Sequence, residues 1–192
     1  FDVTMPDLHL SNPDVVKEFQ DIAKFWIEKG VAGFRLDAIK HFYNYANDTN
    51  NYLKQFSSYC RSLKEDIFIV GEAFSEQYGE LKSYFDSDIS LFNFPSSGAN
   101  TNSFVTAANF ESGNANAKYI VSSNKDFSNM TTNNNYLCTF LTNHDQNRVS
   151  HMALDDKKYE MAVSSYILSK GVPFIYYGEE IGMKGTGIDE NK

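Results

Sequence analysis

The chain has 192 residues, of which 42% are hydrophobic and 15% aromatic, enough for one substantial core and incompatible with a disordered chain. Its formal net charge of -8, from 17 basic and 25 acidic residues, supplies no basic stripe for a phosphate backbone. Nucleic acid and anionic membrane are therefore excluded as expected partners, whereas an uncharged substrate is easily accommodated.

Residues 1–10, ending in MPDLHL, carry no periodic pattern, and FDVTMPDL lacks the charged and apolar regions of a signal peptide. The following segment, DVVKEFQDIAKFWIEKG, places Val15, Val16, Phe19, Ile22, Ala23, Trp26 and Ile27 at helical spacing. Ser11 or Asn12 offers an N-cap, Pro13 suits the first turn and Gly30 the end; Trp26 reads as core packing. VAGFRLD (31–37) reads as a strand and NYLKQFSSYCRSLKE as a helix; IFIVGEA (67–73) and ISLFNF (89–94) read as two more strands. Helices are expected near 103–110 and 117–123, in an Asn- and Ser-rich stretch. LCTFLTN (137–143), the helical KYEMAVSSYILSKG closed by Gly171, and VPFIYYG (172–178) complete the series.

Each strand-like run is nearly continuous in apolar residues, as strands covered on both faces should be. Alternation with amphipathic helices implies βαβ units and a parallel sheet. Five strands are too few for an eight-stranded barrel, which needs roughly 250 residues. Either an incomplete barrel or an open five-stranded sheet satisfies the pattern. The two cysteines, Cys60 and Cys138, read as buried thiols.

Polar residues collect where the runs end. Asp37 ends the first and Glu72 the second, Asn93 lies near the end of the third, Asn143, His144 and Asp145 follow the fourth, and Glu179 and Glu180 the fifth. In parallel α/β folds that edge binds ligands, so Asp37, Glu72 and Asp145 are expected to converge there. Alternation puts Arg35 on the same face as Asp37, where its guanidinium favours the ionised carboxylate a nucleophile needs. Glu72, between Gly71 and Ala73, has apolar neighbours that favour its protonated form. Two carboxyl groups in opposite protonation states suit retaining glycoside hydrolysis, with Asp145 bracing the substrate. A metal-dependent hydrolase is disfavoured, because His9, His41, His144 and His151 form no paired ligand motif. Phe74, Tyr78, Phe92, Phe94, Tyr176 and Tyr177 are candidate sugar-stacking faces, although most aromatic residues at strand positions pack the core.

GVAGFRLDAIKHF, IVGEAF and FLTNHDQNR, in this order, resemble the catalytic signatures of the α-amylase family, family 13 of the glycoside hydrolases. MPDLHL resembles the segment that ends that family's inserted loop domain, and GVPFIYYGEEIGM its eighth-strand signature. The resemblance implies a (β/α)8 TIM barrel, incomplete in this chain and covering approximately strands 4 to 8. Residues 1–10 would be the tail of the inserted domain and residues 11–192 the C-terminal part of the barrel. It implies Asp37 as nucleophile, Glu72 as general acid/base and Asp145 as transition-state stabiliser. Arg35 would orient Asp37, and His144, Lys40 and His41 would bind substrate, the last two favouring internal α-1,4 bonds. Asp7 and the backbone carbonyl of His41 match calcium ligands, while His9 stands where many relatives have asparagine.

The implied activity is α-amylase-like hydrolysis of starch, glycogen or maltooligosaccharides through a covalent glycosyl-enzyme. A related transglycosylase or α-1,6-acting glucosidase keeps the same catalytic carboxylates, and a non-catalytic glycan-binding relative would lose them. The resemblance further implies an α-glucan substrate, dependence on the missing strands 1 to 3, and an extracellular location, with a cytoplasmic one left open.

Overall fold

The computed structural model describes residues 4, 6–100, 103–109, 118, 121, 125 and 135–186. The chain forms two compact units, Phe1–Phe74 with Lys82–Leu91, and Ser75–Leu81 with Phe92–Lys192. Of the helix expected near 117–123, Lys118 and Val121 are described and both are helical; its other residues lie outside the described ones.

In the first unit, helix α1 (Pro13–Glu28) starts where the Asn12 side chain accepts the Asp14 N–H at 2.9 Å. That bond satisfies one of the donors that a helix start leaves open. Helix α2 (Ala46–Leu63) begins earlier than its apolar spacing suggests and buries Tyr52, Leu53, Phe56 and Cys60. Contrary to expectation, Trp26 is not core: it is 49% exposed, as are Ile22 and Phe25 to similar degrees. α2 covers only part of the apolar stripe of α1, and Ala23 alone on α1 is fully buried.

Strands β1 (Gly33–Leu36) and β2 (Phe68–Gly71) run parallel, with Gly33 opposite Phe68 and Leu36 opposite Gly71. Gly33 is required by this contact, since a Cβ there would lie 2.0 Å from the Phe68 carbonyl oxygen. β2 continues into β3 (Ser90–Phe92) through Val70 opposite Ser90 and Gly71 opposite Leu91. β2 is buried at Ile69, Val70 and Gly71, as an apolar run covered on both faces should be. β1 differs, for none of its four residues is fully buried. Among the described residues it pairs only with β2, so one edge lacks a neighbour.

The second unit takes up where Phe92 leaves β3. The next residue, Asn93, donates its N–H to the carbonyl of Cys138 in β4 (Leu137–Thr139), at 2.9 Å. β4 pairs in parallel with the two-residue β5 (Val172–Pro173), Cys138 opposite Val172. After the short α3 (Tyr78–Lys82), which straddles the two units, come α4 (Phe104–Asn109), α5 (Val149–Met152) and α6 (Asp156–Ile167). Phe104, Val105, Ala108, Leu141, Val149, Ala162 and Tyr166 form one buried cluster between them. Gly171 does not close α6, which ends at Ile167; it enters β5 with φ +125, where a Cβ would lie 2.2 Å from the Leu137 oxygen. Both cysteines are free and buried, and burial pushes the Cys60 thiol to about 11 and Cys138 to about 12. They are packing residues, as expected.

Candidate active site

The register of the first two strands brings two acids together. Leu36 stands opposite Gly71, so the next residues, Asp37 and Glu72, end neighbouring parallel strands side by side. Hydrogen bonds from Glu72 N–H to the Leu36 oxygen and from Ile39 N–H to the Glu72 oxygen, both 2.9 Å, carry the pairing past the strand ends.

Arg35 lies two residues before Asp37 and reaches both acids. Its Nη1 donates to Asp37 Oδ1 at 2.6 Å and its Nη2 to Glu72 Oε2 at 2.8 Å. The second contact was not legible in the sequence, which paired Arg35 with Asp37 alone. The guanidinium fork presents parallel donors in fixed geometry, so it sets the spacing of the two carboxyl groups. A further donor is the Ala38 N–H, 3.2 Å from Glu72 Oε2. Ala38 adopts φ 47 and ψ 43, the left-handed region that costs a non-glycine residue about 1–2 kcal/mol. That turn aims its amide at the carboxylate, and no sequence signal marks it.

The environments of the two acids differ. Glu72 is 8% exposed, whereas the Asp37 side chain is 74% exposed. Burial, with hydrogen bonding to and charge on Asp37, raises the Glu72 carboxyl above its ordinary range; the Ala38 amide and Arg35 oppose the shift. The direction is the one expected. β1 departs from the expectation of a strand covered on both faces: none of its residues is fully buried, and the Arg35 side chain is 38% exposed.

Lys40 and His41 follow in a short 3-10 turn, Ile39–His41, anchored by the fully buried Ile39. Lys40 Nζ donates to the Phe74 carbonyl at 2.8 Å. Burial, and then the adjacent Lys40, lower the proton affinity of His41, while Asp7 opposes them. Asp7 and His41 line one cavity of about 240 Å³ with Leu8, Leu10, Phe42 and Phe56. Among the described residues no group of three or more His, Cys, Asp or Glu side chains gathers as a metal site. Asp7 and the His41 carbonyl supply oxygen, the donor type calcium takes, but only two of the six to eight ligands it needs. His9 is exposed.

In the second unit, Asp145 and His144 are neighbours, with His144 Nε2 3.2 Å from Asp145 Oδ2, and both are exposed. They follow β4 on a turn in which the Asp145 N–H bonds Asn143 Oδ1 at 3.0 Å. Three residues on, Arg148 is completely buried. Its guanidinium carbon lies 4.6 and 4.5 Å from the ring centroids of Tyr176 and Tyr177, and Nη1 donates to the Tyr177 oxygen at 2.6 Å. Desolvated cation–π contacts of this kind contribute about 2 kcal/mol. Glu179 is also buried, accepting from Thr142 Oγ1 at 2.5 Å and from the Tyr176 N–H at 3.3 Å, and burial raises its carboxyl above the ordinary range. Glu179, which follows the fifth apolar run in the sequence, is thus a buried and bonded group; Arg148 carries no sequence signal, because its rings come from another strand end.

Two candidate stacking faces are removed. Phe92 packs edge-on to Phe174 at 4.9 Å, and Phe94, 2% exposed, packs on Phe140 at 5.0 Å. Phe74 and Tyr177, 49% and 57% exposed, keep rings open to solvent.

Comparison with known proteins places these features in a family. The family model "Alpha amylase, catalytic domain" matches residues 1–192. Alpha-amylase 3 of Dictyoglomus thermophilum is 41% identical over 190 residues, 97% of this chain and 36% of its own length. Alpha-amylase SusG of Bacteroides thetaiotaomicron is 34% identical over 180 residues, 86% of this chain and 24% of its own. The solved structure of Eubacterium rectale Amy13B superposes with a TM-score of 0.85 at 31% identity, covering all of this chain and 38% of that one. The chain thus spans well under half the length of the proteins it matches, and its strands and helices form part of a (β/α)8 barrel. It belongs to the α-amylase family, as a portion of the catalytic domain.

Proposed function

We propose that the protein containing this chain is a retaining glycoside hydrolase that cleaves internal α-1,4 bonds of starch-like glucans. The observation that carries this reading is the Asp37–Arg35–Glu72 arrangement, in which one guanidinium holds two carboxyl groups of unlike environment. Retaining enzymes need their carboxyl groups about 5–5.5 Å apart, whereas inverting ones leave 6.5–9.5 Å for a water. A pair held by the two terminal nitrogens of one guanidinium favours the shorter separation. Membership of the family and the relatives named as α-amylases support the same reading.

In the first step an Asp37 carboxylate oxygen bonds to the anomeric carbon as the bond to the leaving oxygen breaks, and Glu72 gives its proton to that oxygen. In the second, Glu72 as carboxylate takes a proton from water; the water oxygen bonds to the anomeric carbon and the bond to Asp37 breaks. The raised proton affinity of Glu72 suits the first step and its Arg35 contact the second. Asp145 and His144 are assigned to the distorted sugar ring, and Lys40 and His41 to the leaving-group side. Residues 1–10 are assigned to the inserted loop domain. Calcium, when bound, would use the Asp7 carboxylate and the His41 carbonyl as a structural tie, with further ligands from the rest of the protein.

The test uses the complete protein. Glu72→Gln should lose activity on maltooligosaccharides yet retain it on α-maltosyl fluoride, whose leaving group needs no proton. An unchanged rate on maltooligosaccharides would remove Glu72 from the mechanism. Products longer than the substrate would shift the assignment to a transglycosylase. An extracellular site of action is part of the proposal, and recovery of the complete protein from the cytosol alone contradicts it.

A further inference from the structure

Asp145 rides on the segment Asn143–Arg148, whose parts are tied to different neighbours within the second unit. At its start the turn is closed by Asn143, which accepts the Asp145 N–H through Oδ1 and the Gln146 N–H through its carbonyl, at 3.0 and 3.2 Å. In its middle Gln146 Nε2 donates to Ser97 Oγ at 3.0 Å and fills the space beside Gly98, where φ is +60. At its end stands Arg148, held against both the Tyr176 and Tyr177 rings and bonded to the Tyr177 carbonyl. The Arg148 N–H also donates to the Gly185 oxygen at 3.1 Å.

Two of its nitrogens, Nε and Nη2, have no partner among the described residues, although the side chain is wholly buried. A buried cation so incompletely paired is a poor stabiliser compared with an apolar residue of its size. What it supplies is direction: a flat group fixed by two rings and one carbonyl has one orientation. The Thr142–Glu179 bond ties the chain just after β4 to the turn that follows Tyr177. Burial and then Tyr177 disfavour ionisation of the Tyr176 hydroxyl, Arg148 opposes them, and the Asp145 charge adds a smaller push in the first direction.

We propose that Arg148 is a positioning residue: by locking Asn143–Arg148 onto Tyr176–Tyr177 it fixes where the Asp145 carboxylate meets the distorted sugar ring. It touches no substrate and acts through Asp145, so the proposal rests on the role given to Asp145 above.

The experiment compares Arg148→Met, Arg148→Lys, Asp145→Asn and the Asp145→Asn/Arg148→Met double variant of the complete protein, by amide hydrogen exchange and by kinetics on a maltooligosaccharide. Arg148→Met should speed exchange in 143–148 and 176–179 by about tenfold or more, leaving the α6 peptides unchanged. It should lower kcat by about 10–100-fold with KM altered by less than about threefold, and Arg148→Lys should recover part of the loss. In the double variant kcat should be no lower than in Asp145→Asn alone, as residues acting through one another require. If Arg148→Met fails to fold, Arg148→Lys carries the same readouts at smaller amplitude. Unchanged exchange in those two segments overturns the clamp whatever the activity, and a kcat loss that is additive with Asp145→Asn overturns the positioning role. Full activity of Asp145→Asn, by contrast, overturns the function assigned to Asp145, while exchange alone still decides the clamp.

Discussion

Each unit of the chain fixes a proposed catalytic carboxylate with an arginine, and the two arginines work in opposite ways. Arg35 is partly exposed and bonded to two carboxyl groups; Arg148 is fully buried and held by two aromatic faces and a carbonyl. A cation that must modulate proton affinity has to face the acids directly. A cation that only orients a loop can be withdrawn from solvent and held by rings, with the buried Glu179 carboxyl near enough to feel its charge. The first arrangement serves chemistry at some cost in stability, and the second serves geometry.

The comparison is broken most forcefully at the acids. Asp37→Asn should lower kcat of the complete protein by about 10⁴-fold or more, as loss of a covalent nucleophile does. Glu72→Gln should lower it by about 10²–10⁴-fold on substrates with poor leaving groups. Steady-state kinetics on maltooligosaccharides measures both; a loss below tenfold in either would detach that residue from catalysis.

Substituting the arginines separates their roles. Arg35→Met should shift the alkaline limb of the kcat/KM profile to higher pH, because the guanidinium favours the ionised form of Glu72 and its removal lets Glu72 hold its proton longer. Arg148→Met should leave that limb in place and, because a buried and incompletely paired cation stabilises a fold no better than an apolar residue of its size, should lower stability by no more than about 1 kcal/mol. A pH–rate profile and a denaturant titration distinguish the two, and exchanged outcomes would reverse the assignments.

A subtler effect follows from Glu72 itself. With its carboxyl raised, the folded protein keeps a proton the unfolded chain has released, so Glu72 costs stability as pH rises through and above that window. Glu72→Gln should therefore be more stable than the parent at pH 7, with the difference vanishing towards pH 4. The smallest effect is expected of Ala38→Gly: relief of the left-handed strain, offset by unfolded-chain entropy, should change stability by less than about 1 kcal/mol.

The residues differ in how far the sequence revealed them. The five strand cores were legible because nearly continuous apolar runs bounded by polar residues have few other readings, and the placing of Asp37 and Glu72 side by side was legible because parallel strands present their ends on one edge. Trp26 misled, since helical spacing shows which face is apolar without showing whether a neighbour covers it. Gly171 misled because a glycine after a helix can serve the next strand instead. The Arg35–Glu72 bond depends on inter-strand register, the Ala38 amide on a backbone angle alanine seldom adopts, and the Arg148 clamp on rings 28 and 29 positions away; local pattern encodes none of these.

The most direct test of the central pair is to trap its intermediate. The complete protein carrying Glu72→Gln, treated with a 5-fluoro-α-maltosyl fluoride, digested and analysed by mass spectrometry, should carry the sugar on the peptide containing Asp37, attached through that carboxylate. A label on any other residue, from a protein whose parent form cleaves α-glucans with retention, would contradict the assignment of Asp37 and with it the Asp37–Arg35–Glu72 mechanism.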